Sequence, residues 1–197
     1  MLRTKPILLF LFKVILVFGL LVAPFTFYDV TYGKFYRSVC KSLFGKIKET
    51  GFARFSQTKT PEEMHIEIGN AAQRQSNGMT NTAIADVNLR YRGYMSTVFL
   101  IALIIASPIT TRRKIFSALA GLAILTGILM FKQWIHILYM CEQVSWLALY
   151  DFTPHEKQRI EFLFNNFANY SGSTLIMVIP VWILVCFRKS DLELIKK

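Results

Sequence analysis

The sequence has little charge, and most of that charge is positive. Charged residues make up 18% of its 197 residues, with 23 Lys and Arg against 12 Asp and Glu, whereas average soluble chains carry about 25% charged residues. Hydrophobic residues reach 53%, and the mean hydropathy is +0.39. This composition argues against an ordinary soluble domain and excludes a disordered chain. Beside long apolar runs, the basic excess indicates orientation in a membrane rather than nucleic-acid binding.

Short catalytic and cofactor motifs are also missing. The sequence contains no P-loop, no G-x-G-x-x-G, no G-x-S-x-G and no C-x-x-C. We therefore predict neither a cofactor nor a metal, and we assign no catalytic residue. Only three cysteines are present. Cys40 and Cys141 are expected on the oxidising side of a membrane, and the sequence leaves open whether they form a disulfide.

Four apolar segments approach the length that a bilayer requires. A bilayer core about 30 Å thick is crossed by about 20 apolar helical residues. The segments are Pro6–Phe27, Tyr94–Thr111, Ile115–Phe131 and Tyr170–Phe187. A signal peptide is the alternative for the first segment, but its apolar part is long and no A-x-A site follows it, which favours an uncleaved anchor. The pattern predicts four transmembrane helices.

Clusters of basic residues predict the orientation of these segments. Arg112, Arg113 and Lys114 fill the short link between the second and third segments, and other basic residues flank the first and the fourth. Cytoplasmic flanks are enriched in Lys and Arg. Both termini are therefore expected in the cytoplasm, and the two longer connections are expected outside.

The first long connection begins with an amphipathic pattern. Phe35, Val39, Leu43 and Ile47 recur every four residues, which predicts a helix over 34–48. Two settings stay open for this helix: anionic headgroups, or a following sheet. Its candidate contacts to headgroups or to a partner are the cationic side chains of Lys34, Arg37 and Lys41.

A period of two residues then replaces this pattern. Residues 83–92 alternate over ten positions, and Met64–Ile68 alternates more briefly. Gly51–Thr58 is a less clear candidate for a third strand, through Phe52 and Phe55. Ser76-Asn77-Gly78 is a turn signal between the last two strands. We expect a small outward-facing antiparallel sheet whose last strand continues into the second span.

The second long connection has a helical pattern throughout. Trp134–Tyr150 contains no Gly or Pro, and Thr153 to Glu156 has the sequence of a helix start with a capping box. This predicts an outer helical hairpin. An alternative interfacial site on it comprises His136, Cys141, Glu142 and His155.

The fold prediction is accordingly an α+β membrane protein with four transmembrane helices, an outer antiparallel sheet and an outer helical hairpin. The predicted regions are the first anchor (1–27), an extracytoplasmic region with the amphipathic helix and the sheet (28–93), spans two and three (94–131), the extracytoplasmic hairpin (132–169), and span four with a short basic tail (170–197).

Residues 88–113 carry a resemblance to a known family. Asn88-Leu89-Arg90-Tyr91-Arg92-Gly93-Tyr94, followed by Ala106-Ser107-Pro108 and by Arg112-Arg113, resembles a pattern in small polytopic membrane proteins that accompany exosortases. The resemblance implies a multi-pass protein of the bacterial inner membrane. It also implies an accessory role in protein sorting or exopolysaccharide export.

Two functional hypotheses follow from these observations. The first is a non-enzymatic accessory or scaffolding subunit that contacts membrane lipids and a membrane-protein partner. Its preferred contact element is strand 83–92 with Arg90 and Arg92, because an edge strand offers unpaired backbone groups. The second is an interfacial enzyme or lipid-binding protein that uses residues near Cys141 and His136.

Overall fold

The computed structural model describes residues 4–23, 29–60, 62–74 and 80–187. The fold is α+β. In the described part of the chain there are six α-helices: α1 (Thr4–Val22), α2 (Lys34–Phe44), α3 (Met95–Ala106), α4 (Thr111–Gln143), α5 (Pro154–Leu163) and α6 (Ser171–Cys186). The four strands are β1 (Lys46–Ile47), β2 (Gly51–Gln57), β3 (Glu63–Arg74) and β4 (Thr80–Asn88). Two predicted features, the turn at 76–78 and the basic tail after Phe187, lie outside the described residues.

The strands form one antiparallel sheet in the order β1-β2-β3-β4. On the central strand β3, Ile66 pairs with Phe55 of β2 and with Ala85 of β4. Met64, Ile66 and Ile68 are fully buried, whereas the intervening His65 is half-buried. The period-two pattern therefore gives this sheet one buried face, as expected for strands whose side chains alternate.

The prediction of four transmembrane helices is wrong, because among the described residues only one helix, α4, is long and apolar enough to cross a membrane. A second span is obtained only if two bent helical stretches, Pro154–Ala168 and Gly172–Cys186, are counted together as one span. The angle between them is 72°. The described residues thus do not support a multi-pass protein. The predicted third segment lies within α4.

The other predicted spans fail mainly on length. Helix α3 has 12 residues and ends where Ser107 takes an extended backbone before Pro108, so at 1.5 Å per residue it is about 18 Å long. Helix α6 has 16 residues. The first segment lies in α1, and the apolar part of this helix within the described residues, Ile7–Val22, is likewise shorter than a full span. Hydropathy alone had not revealed these helix ends.

The chain divides into two compact units. The helical unit comprises Met1–Phe25, Gly93–Ile128 and Gly172–Lys197, and the sheet unit comprises Thr26–Arg92 and Leu129–Ser171. Helix α4 therefore contributes its first turns to the helical unit and its last turns, from Leu129, to the sheet unit.

Side-chain contacts link the four helices of the helical unit. Phe18 of α1 packs edge-on against Phe99 of α3, with ring centroids 5.8 Å apart. Trp182 of α6 donates from Nε1 to the Ser107 Oγ after α3, at 2.9 Å. Ser117 of α4 donates from Oγ to the carbonyl of Val185 at 2.8 Å. These contacts join α1 and α6 to the α3–α4 pair.

The sheet unit fixes the last turns of α4 against α2 and the sheet. Trp134 stacks on Phe44 of α2, with ring centroids 5.7 Å apart. Beyond the end of α4, the Leu147 carbonyl accepts a hydrogen bond from the Asn70 side chain of β3 at 2.8 Å. At the start of α5, Thr153 and Glu156 form the predicted capping box. These contacts tie α2 to the last turns of α4 and tie β3 to the segment between α4 and α5.

Candidate functional site

Strand β4 forms an open edge of the sheet. It pairs with β3 on one side, and within the described residues no strand pairs with its other side. Ile84 is 59% exposed and lies on the face where His65 Nδ1 and Asp86 Oδ1 are 2.7 Å apart. The opposite border of the sheet is different, because β1 pairs with the start of β2 and Arg37 of α2 donates to Gln57 at 3.3 Å. An edge strand of this kind offers backbone groups to an extended segment of a partner.

The predicted strand 83–92 ends earlier than the alternation suggested. Strand β4 ends at Asn88, and Arg90–Tyr94 forms a π-helical turn. The turn directs Arg90 to Glu62, at 3.1 Å, while Arg92 becomes buried. Neither arginine therefore extends along the open strand edge.

The three candidate cations of α2 differ in exposure. Lys34 and Lys41 are exposed, whereas Arg37 is half-buried and bound to Gln57. The buried side of α2 carries Tyr36 and Cys40. The predicted apolar stripe is therefore not the packed face, since Phe35 and Leu43, which belong to it, are exposed.

Arg92 and His136 form a buried polar pair in the sheet unit. Each residue is 8% exposed. The Arg92 guanidinium donates to His136 Nδ1 and, at 3.2 Å, to the carbonyl of Ala168. An arginine stays protonated and has no acceptor, so Nδ1 must be the acceptor. His136 is therefore neutral, with its proton on Nε2.

The surroundings of Arg92 are cationic and polar rather than acidic. Lys132 lies one helical turn before His136, is fully buried, and donates to the carbonyl of Tyr170 at 3.3 Å. Within the described residues no carboxylate lies within 4 Å of Arg92. Burial lowers the pKa of Arg92, and nearby Tyr36 and Cys40 oppose that shift. No local pattern in the sequence indicated this cluster, because Arg92 was predicted to lie on a strand.

Gln133 adds an unpaired amide to the same helix. Its side chain is fully buried, and neither Nε2 nor Oε1 has a hydrogen-bond partner among the described residues. Buried polar groups are normally paired. Gln133 and the Arg92–His136 pair make the last turns of α4 the most polar buried part of the described chain.

A separate cavity of about 340 Å³ opens beside the end of α4. Cys141 and Glu142 line it together with Tyr150, Asp151 and Lys157, and Lys157 Nζ is 3.9 Å from Glu142 Oε1. The structure thus brings together two of the four residues of the alternative interfacial site.

The two histidines of that predicted site lie elsewhere. His136 is bound to Arg92, and His155 lines an exposed groove with Gln158, Arg159, Phe162 and Leu163. A cysteine nucleophile needs a base within hydrogen-bond reach, and the cavity of Cys141 contains no imidazole. Over the described residues, no group of three His, Cys, Asp or Glu side chains is arranged to hold a metal ion.

Cys40 and Cys141 are both free, buried thiols. The Cys40 thiol is 3.9 Å from the Met130 sulfur. Burial raises the pKa of Cys40 to about 12, so this side chain is a neutral thiol at physiological pH. The structure thus has no disulfide between the two residues whose pairing the sequence left open.

Comparison with known protein families, with characterised proteins and with solved structures finds no match to this chain. The assignment of function therefore depends on the geometry described above.

Replacing Arg92 with Leu should lower the stability of the sheet unit. The change leaves His136 Nδ1 and the Ala168 carbonyl buried without a donor, and each such loss costs about 1–3 kcal/mol, offset in part by removal of the buried charge. Arg90→Leu is the matched control, because it removes the same charge from a partly exposed pair with Glu62, and such pairs contribute about 1 kcal/mol or less. Thermal unfolding of the purified variants measures the difference. Equal midpoints for the two variants would contradict the structural role of Arg92.

Maleimide labelling should find all three cysteines protected in the native protein. Cys40 is fully buried and neutral, and thiolate is the reactive form. After denaturation without a reductant, mass spectrometry should count three labels per chain. A count of one label under those conditions would mean that Cys40 and Cys141 are oxidised to a disulfide.

Proposed function

We propose that this chain is an accessory subunit of a bacterial inner-membrane system for protein sorting or exopolysaccharide export. Helix α4 anchors it, and the open edge of β4 binds a partner protein outside the cytoplasm. The observation that carries the proposal is that one chain combines a long apolar helix with a sheet whose last strand, as far as the described residues go, is an edge strand. The first feature supplies an anchor, and the second supplies a docking edge.

The exposure of α4 supports a membrane as its surroundings. Only 28% of its most apolar 18-residue stretch is buried inside the structure, and Ile115, Phe116 and Leu119 are all exposed. The core helix of a soluble protein would bury such side chains, because burial gains about 25 cal/mol per Å² of apolar surface. Large exposed apolar patches mark membrane or protein contacts.

The ends of α4 support one orientation. Its first turn carries Arg112, Arg113 and Lys114, and the positive-inside rule assigns such a flank to the cytoplasm. Its last turns belong to the same compact unit as the sheet. The sheet unit is then extracytoplasmic, where a secreted or membrane-bound partner can reach β4.

The edge of β4 is suited to strand addition. In that mode of recognition an extended segment of the partner pairs with the edge through main-chain hydrogen bonds, and side-chain contacts give specificity. Ile84 supplies an exposed apolar contact, and Asn81 and Asp86 supply exposed polar ones. The resemblance at residues 88–113 to exosortase-associated proteins supports sorting or polysaccharide export as the process.

A photo-crosslinking amino acid at Ile84 tests this proposal in cells. We expect it to capture one membrane or secreted partner that also co-purifies with the unsubstituted chain in mild detergent. Ser56 is the control position, because it is exposed and lies on the same face of the sheet, opposite His65, but on β2. Equal crosslinking from both positions, or recovery of the chain without any partner, would contradict docking at β4.

A further inference from the structure

A groove of about 670 Å³ runs between α4 and α6 in the helical unit. Small-molecule sites occupy about 300–1,000 Å³, so the groove has the volume of a ligand site. Its lining combines a basic end with an apolar length: Thr110, Arg112, Arg113, Phe116, Ser117, Ala120, Ile124, Leu184 and Val185.

The basic end consists of two arginines with different roles. Arg113 donates to the carbonyl of Cys186 at 2.9 Å, which ties the start of α4 to the end of α6. Arg112 is exposed, and its guanidinium lies 6.0 Å from the centre of the Phe116 ring. Within the described residues no carboxylate is within 4 Å of Arg112. Among the described residues, therefore, no acidic side chain neutralises Arg112 at the mouth of the groove.

The rest of the groove is apolar and follows the helix axis. Phe116, Ala120 and Ile124 are spaced four residues apart, so they lie in one line along α4. Leu184 faces the groove from α6. Phe116 is 61% exposed and Leu184 69% exposed. The lining therefore matches a phospholipid along its length: a cationic end faces the position of a headgroup, and an apolar strip faces the position of an acyl chain.

We propose that this groove binds an anionic phospholipid, with the headgroup phosphate on Arg112 and an acyl chain along Phe116, Ala120 and Ile124. The inference rests on the proposed function, because it requires α4 to cross the membrane with Arg112 at the cytoplasmic surface. Basic pockets between membrane helices on that side are a recurring form of anionic-lipid site. Charge complementarity selects an anionic lipid rather than a zwitterionic one.

Native mass spectrometry of the full chain in mild detergent tests the proposal with phosphatidylglycerol and phosphatidylcholine as probes. We expect tighter binding of phosphatidylglycerol, and Arg112→Gln should weaken it by about fivefold. Lys114→Gln is the matched control: it removes the same charge from the same turn, but Lys114 donates to the Ile105 carbonyl and does not line the groove. This variant should bind as the unsubstituted chain does.

A second pair of variants tests the acyl-chain path without any change in charge. Ala120→Trp fills the groove and should weaken phosphatidylglycerol binding. Ala123→Trp places the same side chain at another exposed alanine of α4 that does not line the groove, and it should have no effect. Equal losses from both tryptophans, equal losses from both charge variants, or no preference for phosphatidylglycerol would overturn the proposal.

Alkaline carbonate extraction separates this inference from the proposed function. If the unsubstituted chain is released from membranes, α4 is not a span and both proposals fail. If the chain is retained but phosphatidylglycerol is not preferred, the lipid site alone is wrong.

Discussion

One helix, α4, lies in two kinds of surroundings, and the rest of the structure depends on it. The first turns of α4 leave Ile115, Phe116 and Leu119 exposed, whereas its last turns bury Lys132 and His136 in the sheet unit. Apolar surface is stable only away from water, and buried polar groups need partners. A membrane around the first part, as we propose, would satisfy the first constraint, and the hydrogen bonds of His136 and Lys132 satisfy the second for those two side chains.

Arg92 connects that helix to the edge strand. The residue follows β4 by four positions, and its guanidinium binds His136 of α4 and the Ala168 carbonyl beyond α5. A protonated His136 could not accept this hydrogen bond, so the neutral imidazole is part of the structural arrangement. These two hydrogen bonds tie the segment that follows the proposed docking edge to α4 and to the end of the turn after α5.

The sheet was predictable from the sequence, while the number of spans was not. Alternation around Ile66 and Ile68 reflects a local preference for one buried face, and antiparallel pairing followed. Hydropathy instead measures composition, and it did not reveal that α3 ends at Ser107 after only 12 residues. Alternation also continued past Asn88 into a π-helical turn, so the burial of Arg92 and its contact with His136 depended on tertiary packing that no local pattern encodes.

The orientation of α4 is the claim on which the rest depends, and cysteine accessibility measures it most directly. Thr111 is the first residue of this helix, and Ser145 follows its last residue, Gln143, by two positions. Both are exposed, and each would be replaced by Cys in a separate variant. In intact spheroplasts, a membrane-impermeant maleimide should label Ser145→Cys, and it should label Thr111→Cys only after lysis. Equal labelling of both positions before lysis would contradict a membrane-spanning α4.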